Sequence, residues 1–114
     1  MASQGDITIV YLKKFLPVLD GENLQTLGEQ LFDLVDNQGK RKVLLNFEGV
    51  VFVSSAALGK LITLNKKIQK AGGKLVMCAI AEPILEVFEV VKLDRLVSIC
   101  PDQPSGLAVL QAAT

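Results

Sequence analysis

The sequence predicts an α/β fold built on a largely parallel sheet that carries helices. Three observations predict it. Segments of strand character alternate with segments whose apolar residues recur every three or four positions. Two of the strand segments, Lys42 to Phe47 and Lys74 to Ile80, are nearly continuous apolar runs, as in strands covered on both faces. Half of the 114 residues are apolar but only 5% are aromatic, so the core must be Leu, Val, Ile and Ala, which suits helices on a sheet.

The elements follow in order. Met1 to Gly5 is small and polar and is expected to be a loose tail, leaving residues 6–113 as one domain. Asp6 to Leu12 is β-branched and apolar, a strand. Within Lys13 to Leu19, Pro17 lacks a donor and points to an edge or an irregular return. Asp20 and Gly21 open a helix, with Asp20 as an acceptor for a free N–H of the first turn. Leu24, Leu27, Leu31, Leu34 and Val35 form its apolar stripe, and Gly39 ends it. After the strand at Lys42, Val50 to Val53 reads as an extended arm leading into a second helix from about Ser55 to Ala71. Leu58, Leu61, Ile62, Asn65 and Ile68 give that helix its inner face, and Gly72–Gly73 terminates it. Pro83 fits the first turn of a third helix with Ile84, Leu85, Phe88 and Val91 inward. Leu93 to Leu96 is a break, Val97 to Cys100 a last strand stopped by Pro101, and Pro104 to Ala113 a final short helix.

Composition removes several function classes. Twelve basic residues balance twelve acidic ones, so no net field draws in nucleic acid or an anionic membrane. The single run of three bases, Lys40–Arg41–Lys42, reads as a solvated turn guarding a hydrophobic strand. Histidine is absent, which removes Ser–His–Asp and Cys–His catalysis and most zinc sites. No GxxxxGK[ST] or GxGxxG phosphate loop occurs, and Gly72–Gly73 is a turn. Glu48, Glu82 and Asp94 are scattered carboxylates without acid–base spacing, and Glu82, Glu86 and Glu89 read as a solvated helix face. Cys78 and Cys100 read as small packed hydrophobes, and the longest uncharged apolar stretch, Gly49 to Gly59, is too short to span a bilayer. The expectation is a cytoplasmic, non-enzymatic protein with no cofactor, no metal and no catalytic residue.

What stands out is Ser54–Ser55 at the start of the second helix. Either serine would serve as an N-cap, and position alone favours that plain role. The neighbourhood raises a functional one: Val50 to Val53 is apolar, and Ala56, Ala57, Leu58 and Gly59 are small or apolar and would let another protein approach a hydroxyl closely. A phosphate there would meet free N–H groups and the positive end of the helix dipole. Gly59, unfavourable inside a helix, is explained by close packing against a neighbouring backbone. Asp20 lies at another helix start, where a loop would face a partner.

Three blocks of the chain carry a family resemblance. VLLNFEGVVFVSSAALGKL looks like a strand, a turn and a "D-S-[SA]-[GA]-L-G" helix start; QKAGGKLVMCAI and EPILEVFEVVKLDRLVSICPD supply the helix end, the next strand, the third helix and the final strand. Together they resemble the STAS family of anti-sigma factor antagonists and related sulfate-transporter domains, over about Asp6 to Asp102. The resemblance implies a single-layer, mixed, largely parallel sheet of four or five strands with about four helices, mostly on one face. It implies that bacterial members bind an anti-sigma factor that is an ATP-using serine kinase, and that a metal-dependent serine phosphatase reverses the phosphorylation. The phosphorylated serine matches Ser55, with Ser54 the less favoured site, and the implied partner surface comprises Asp20, Ser54, Ser55, Ala56, Ala57 and Leu58. Two positions depart from the pattern: Ser54 replaces the usual aspartate, and Ala56–Ala57 replaces a common Ser–Gly. With so short an N-terminus, the family's first strand is expected to be missing or replaced by Ala2 to Gly5. The alternative to a phospho-switch is an unphosphorylated scaffold or regulatory subunit of a stress-signalling complex or membrane transporter, which the missing aspartate favours. A hydrolase using Ser55 is disfavoured by the lack of histidine, and homodimer formation stays open.

Overall fold

Apolar runs of consecutive residues need cover on both faces, and a computed structural model describing residues 2–12, 18–19 and 21–112 supplies that cover. In chain order the elements are β1 (Ala2–Gln4), β2 (Ile7–Tyr11), β3 (Val18–Leu19), α1 (Gly21–Asp36), β4 (Lys42–Asn46), β5 (Phe52–Val53), α2 (Ser55–Lys70), β6 (Lys74–Cys78), α3 (Glu82–Val90), a 3₁₀ turn at Leu93–Arg95, β7 (Ser98–Cys100) and α4 (Gln103–Ala112). Among the described residues, one five-stranded sheet runs β1-β2-β4-β6-β7 and a two-stranded ribbon joins β3 to β5. β1 pairs antiparallel with β2; every other pairing is parallel.

The register sorts the side chains into rows. Val10, Leu45, Met77 and Ile99 lie side by side and belong to the larger cluster, with Leu27, Leu31 and Leu34 of α1, Leu61, Leu64 and Ile68 of α2, and Ile84 and Phe88 of α3. The alternate row, Ile9, Leu44 and Val76, meets Leu110 of α4 on the opposite face. Three helices therefore cover one face and one covers the other, in keeping with the predicted layer. A side-chain seam joins α1 to α2: Lys67 binds Asp36 at 3.0 Å, and its ammonium lies 5.4 Å from the Phe32 ring centre.

Several expectations are corrected. Ala2–Gln4 is an edge strand rather than a loose tail, because Gly5 at φ 63° turns the chain back and Ala2 to Gln4 then pair with Ile7 to Ile9. It takes the place of the expected first strand. The strand begun at Lys74 ends at Cys78, short of Ile80, because Ala79 adopts a left-handed conformation (φ 57°). In α2 the buried stripe is Ala57, Leu58, Leu61, Leu64, Asn65 and Ile68, so Leu64 takes the central place expected for Ile62, which is only partly covered. Val91 is exposed rather than inward, since α3 ends at Val90 and the helical period no longer governs the next residue. Gly59 is not a packing glycine: a Cβ there would meet nothing within 4 Å. The close approach lies instead at Gly73, where a Cβ would run into the Arg41 carbonyl oxygen. Lys13 to Pro17, Asp20 and the side chain of Leu24 lie outside the described residues.

Candidate functional site

The site is built at the end of the sheet where β4 gives way to α2. Asn46, the polar break in an otherwise apolar strand, is buried and works in two directions. Its Nδ2 donates to Gln103 Oε1 (2.9 Å), at the start of α4, and its Oδ1 accepts from the Glu48 N–H (2.8 Å). The Val50 N–H then donates to the Phe47 carbonyl (2.9 Å), closing the turn, and Val50 is itself buried. The arm beyond this anchor turns outward, leaving Val51 68% and Phe52 48% exposed. β5 holds the arm by parallel pairing, Val18 opposite Phe52 and Leu19 opposite Val53. The chain segments leading to Asp20 and to Ser54 are thus neighbours.

At the arm's end the two serines separate in role. Ser54 has extended backbone (φ −77°, ψ 166°), its Oγ accepts from the Ala57 N–H at 3.1 Å, and its carbonyl accepts from the Leu58 N–H at 3.0 Å. It is the N-cap, half-buried and occupied. Ser55 is the first residue of the helix, is exposed, and its hydroxyl has no hydrogen-bond partner among the described residues. The first turn carries no acidic side chain, so nothing there repels a phosphate. Two of the four free N–H groups of a helix start, those of Ser55 and Ala56, have no partner among the described residues and lie beside that hydroxyl. Neither serine is a buried residue.

Of the residues expected on the partner surface, Ser54, Ser55 and Ala56 are accessible at least in part. Ala57 and Leu58 are not: both belong to the larger core cluster, with 1% and 8% exposure. The helical period explains it, since positions 57, 58, 61 and 65 share the face turned to the sheet while 55, 56 and 59 face out. The open surface is instead Val51, Phe52, Ser55, Ala56 and Gly59. Sequence reasoning missed the exposure of Val51 and Phe52 and the bracing role of Asn46. The signal for Asn46 was available, as a lone amide inside an apolar strand demands partners when buried.

The other candidates are quiet. Glu48, Glu82, Glu86, Glu89 and Asp94 are exposed. Both cysteines are free, and burial pushes the Cys78 thiol up to about 11, with Cys100 on the neighbouring strand adding to the shift. A thiol so raised is protonated at neutral pH and is a poor nucleophile. No helix among the described residues is long and apolar enough to cross a membrane.

These features meet in a known class. The family profile of the STAS domain matches residues 1–105, and the chain belongs to the STAS domain family. Among characterised relatives it is 26% identical, over 84% of its own length and 82% of the other's, to the candidate anti-sigma factor antagonist BtrV of Bordetella bronchiseptica. Among solved structures it superposes on an anti-sigma-factor antagonist (STAS) domain protein of Planctomyces limnophilus with a TM-score of 0.83 at 19% identity, covering 94% of this chain and 92% of that one. The solution structure of TM1081 gives a TM-score of 0.81 at 23% identity, covering 97% and 86%. The crystal structure of the same protein, a candidate anti-sigma factor antagonist of Thermotoga maritima, gives 0.76 at 20% identity, covering 93% and 88%. At these identities the structural likeness is one of fold.

Proposed function

We propose that the chain is an anti-sigma factor antagonist, a binding protein and not an enzyme, whose partner is an anti-sigma factor with serine-kinase activity. The unphosphorylated form holds the kinase through the surface of Val51, Phe52, Ser55, Ala56 and Gly59, with Asp20 contributing from the adjacent chain segment. The kinase transfers the γ-phosphoryl group of ATP to the Ser55 Oγ: the new P–O bond forms as the bond to the β–γ bridging oxygen breaks, the hydroxyl proton is lost and ADP leaves. The modified form dissociates until a serine phosphatase restores it. The unit that acts is a single domain from β1 through α4.

The observation that carries this reading is the exposure of Ser55 beside an occupied Ser54. Ser54 stands where the family usually has aspartate, and both residue types are good N-caps, so the replacement keeps the cap while removing a charge. A phosphate adds close to two negative charges and three acceptor oxygens. The helix start tolerates that charge, at a gain of about 0.3–1 kcal/mol for a charged group in the first turn. The apolar surface beside it, which a partner would have to dehydrate, does not. The domain stays folded and the interface is lost.

The test is phosphosite mapping and affinity measurement with the cognate kinase. Label is expected on Ser55 and not on Ser54. Ser55→Ala should still bind, and Ser55→Asp should bind at least tenfold more weakly with an unchanged circular dichroism spectrum. Absence of label at either serine, together with equal binding by Ser55→Asp, would sink the phospho-switch and point to the constitutive scaffold or transporter subunit.

A further inference from the structure

The opposite pole of the molecule carries a second feature. There β2, β4, β6 and β7 begin and α1 and α2 end, around a cleft of about 810 Å³. That volume is in the range of small-molecule sites. Its lining includes Lys40, Arg41, Lys42 and Lys74, drawn from the α1–β4 connection and the starts of two adjacent strands. Asp6 is the one acidic residue among the lining residues, and it is paired with Lys42 at 3.3 Å. Lys40, Arg41 and Lys74 have no carboxylate partner among the described residues.

Two ordinary reasons for cations at this pole fall short. The run Lys40–Arg41–Lys42 reads in sequence as a solvated turn, but folding gathers it with Lys74 around one concavity. The carboxyl ends of α1 and α2 bring partial negative charge, about half a unit each. Lys67 and Lys70 in the last turn of α2, neither of which lines the cleft, already offset part of it. A chain with no net charge therefore keeps a concentrated positive site at one end. The backbone around it is held firmly: the Lys74 N–H donates to the Arg41 carbonyl (2.8 Å), the Gly73 N–H to Ile68 (2.8 Å), and the Lys40 N–H to Leu34 (2.8 Å). The cations are thus carried on a fixed frame.

From this we infer that the cleft is a binding site for a small soluble molecule bearing two or more phosphate groups, recognised by Lys40, Arg41 and Lys74. Three separated cations match a ligand with clustered negative charges better than a single monovalent anion. The site is separate from the Ser55 surface, since α2 alone sets the two roughly 24 Å apart.

Inorganic tripolyphosphate is the probe, read by titration calorimetry and by amide shifts in nitrogen-15 NMR spectra. Wild-type protein should bind it saturably, one molecule per chain, with the largest shifts at Gly39, Gly72, Gly73 and Ser98. Lys40→Ala/Arg41→Ala/Lys74→Ala should weaken binding at least tenfold, and Lys74→Gln alone should weaken it measurably if the triple variant misfolds. Lys66→Ala/Lys70→Ala, which removes two cations outside the cleft, should bind within twofold of wild type. Ser55→Asp should also bind within twofold, so this result stands apart from that of the phospho-switch. Absence of saturable binding overturns the inference, as does equal weakening by the two sets of lysine variants.

Discussion

At the scale of single residues, two adjacent serines differ by one hydrogen bond. Ser54 spends its oxygen on the Ala57 N–H, and the exposed Ser55 hydroxyl has no partner among the described residues. Removing the cap leaves a helix donor without that partner, which costs about 1 kcal/mol. Ser54→Ala is therefore expected to lower the unfolding midpoint by about 4 °C in a thermal melt, by the usual entropy scaling for a domain of this size. Ser54→Asp should keep the midpoint near that of wild type, because carboxylate also caps and favours the positive end of the dipole. A melt in which Ser54→Ala matches wild type would mean that the cap is not formed in solution. The pair Ser54–Ser55 was legible in the sequence as a helix start. Which serine caps was left as a choice by composition, because it depends on where the chain leaves the extended arm.

At the scale of elements, glycines with different surroundings should respond in opposite directions. Gly59 lies inside α2 with open space at its missing Cβ, so Gly59→Ala should stabilise by about 0.5–1 kcal/mol through helix propensity alone. Gly73 packs its α-carbon against the Arg41 carbonyl, where strand β6 begins beside β4. Gly73→Ala must push those chains apart and should destabilise by about 1–3 kcal/mol, the range of overpacked sites. Urea unfolding of the two variants checks both signs at once, and the same sign for both would contradict the packing described here. The sequence singled out Gly59 as the packing glycine and Gly73 as a plain turn. The roles were exchanged because a missing side chain shows in sequence, whereas what would occupy its place does not.

At the scale of the whole molecule, the sheet depends on cover from both sides. Three helices protect one face, while among the described residues the row of Ile9, Leu44 and Val76 is covered from the α4 side, through Leu110 and the partly buried Leu107 and Val109. Ending the chain at Asp102 would expose that row and remove Gln103, the acceptor of Asn46 Nδ2. Each fully exposed aliphatic side chain forfeits about 1.5–3 kcal/mol, against a total stability of roughly 5–15 kcal/mol for a domain. The truncated chain should show no cooperative thermal transition by circular dichroism. A sharp melt close to that of the full chain would show that α4 is dispensable. The same loss would release the turn leading to Ser54, because Asn46, which braces that turn, would lose its partner in the last helix.

Local pattern by itself determined the alternation of strand and helix, the parallel character of the sheet and the helix that begins at Ser54–Ser55. Those features follow from periods of two and 3.6 residues and from cap chemistry, which act between near neighbours in the chain. Only the tertiary structure decided that Ala57 and Leu58 turn inward while Val51 and Phe52 turn out, that Ala2–Gln4 completes the sheet edge, and that Lys74 joins Lys40 and Arg41 around one cleft. Each of these joins residues distant in sequence, and strand register and helix rotation are set by the packing of the whole core.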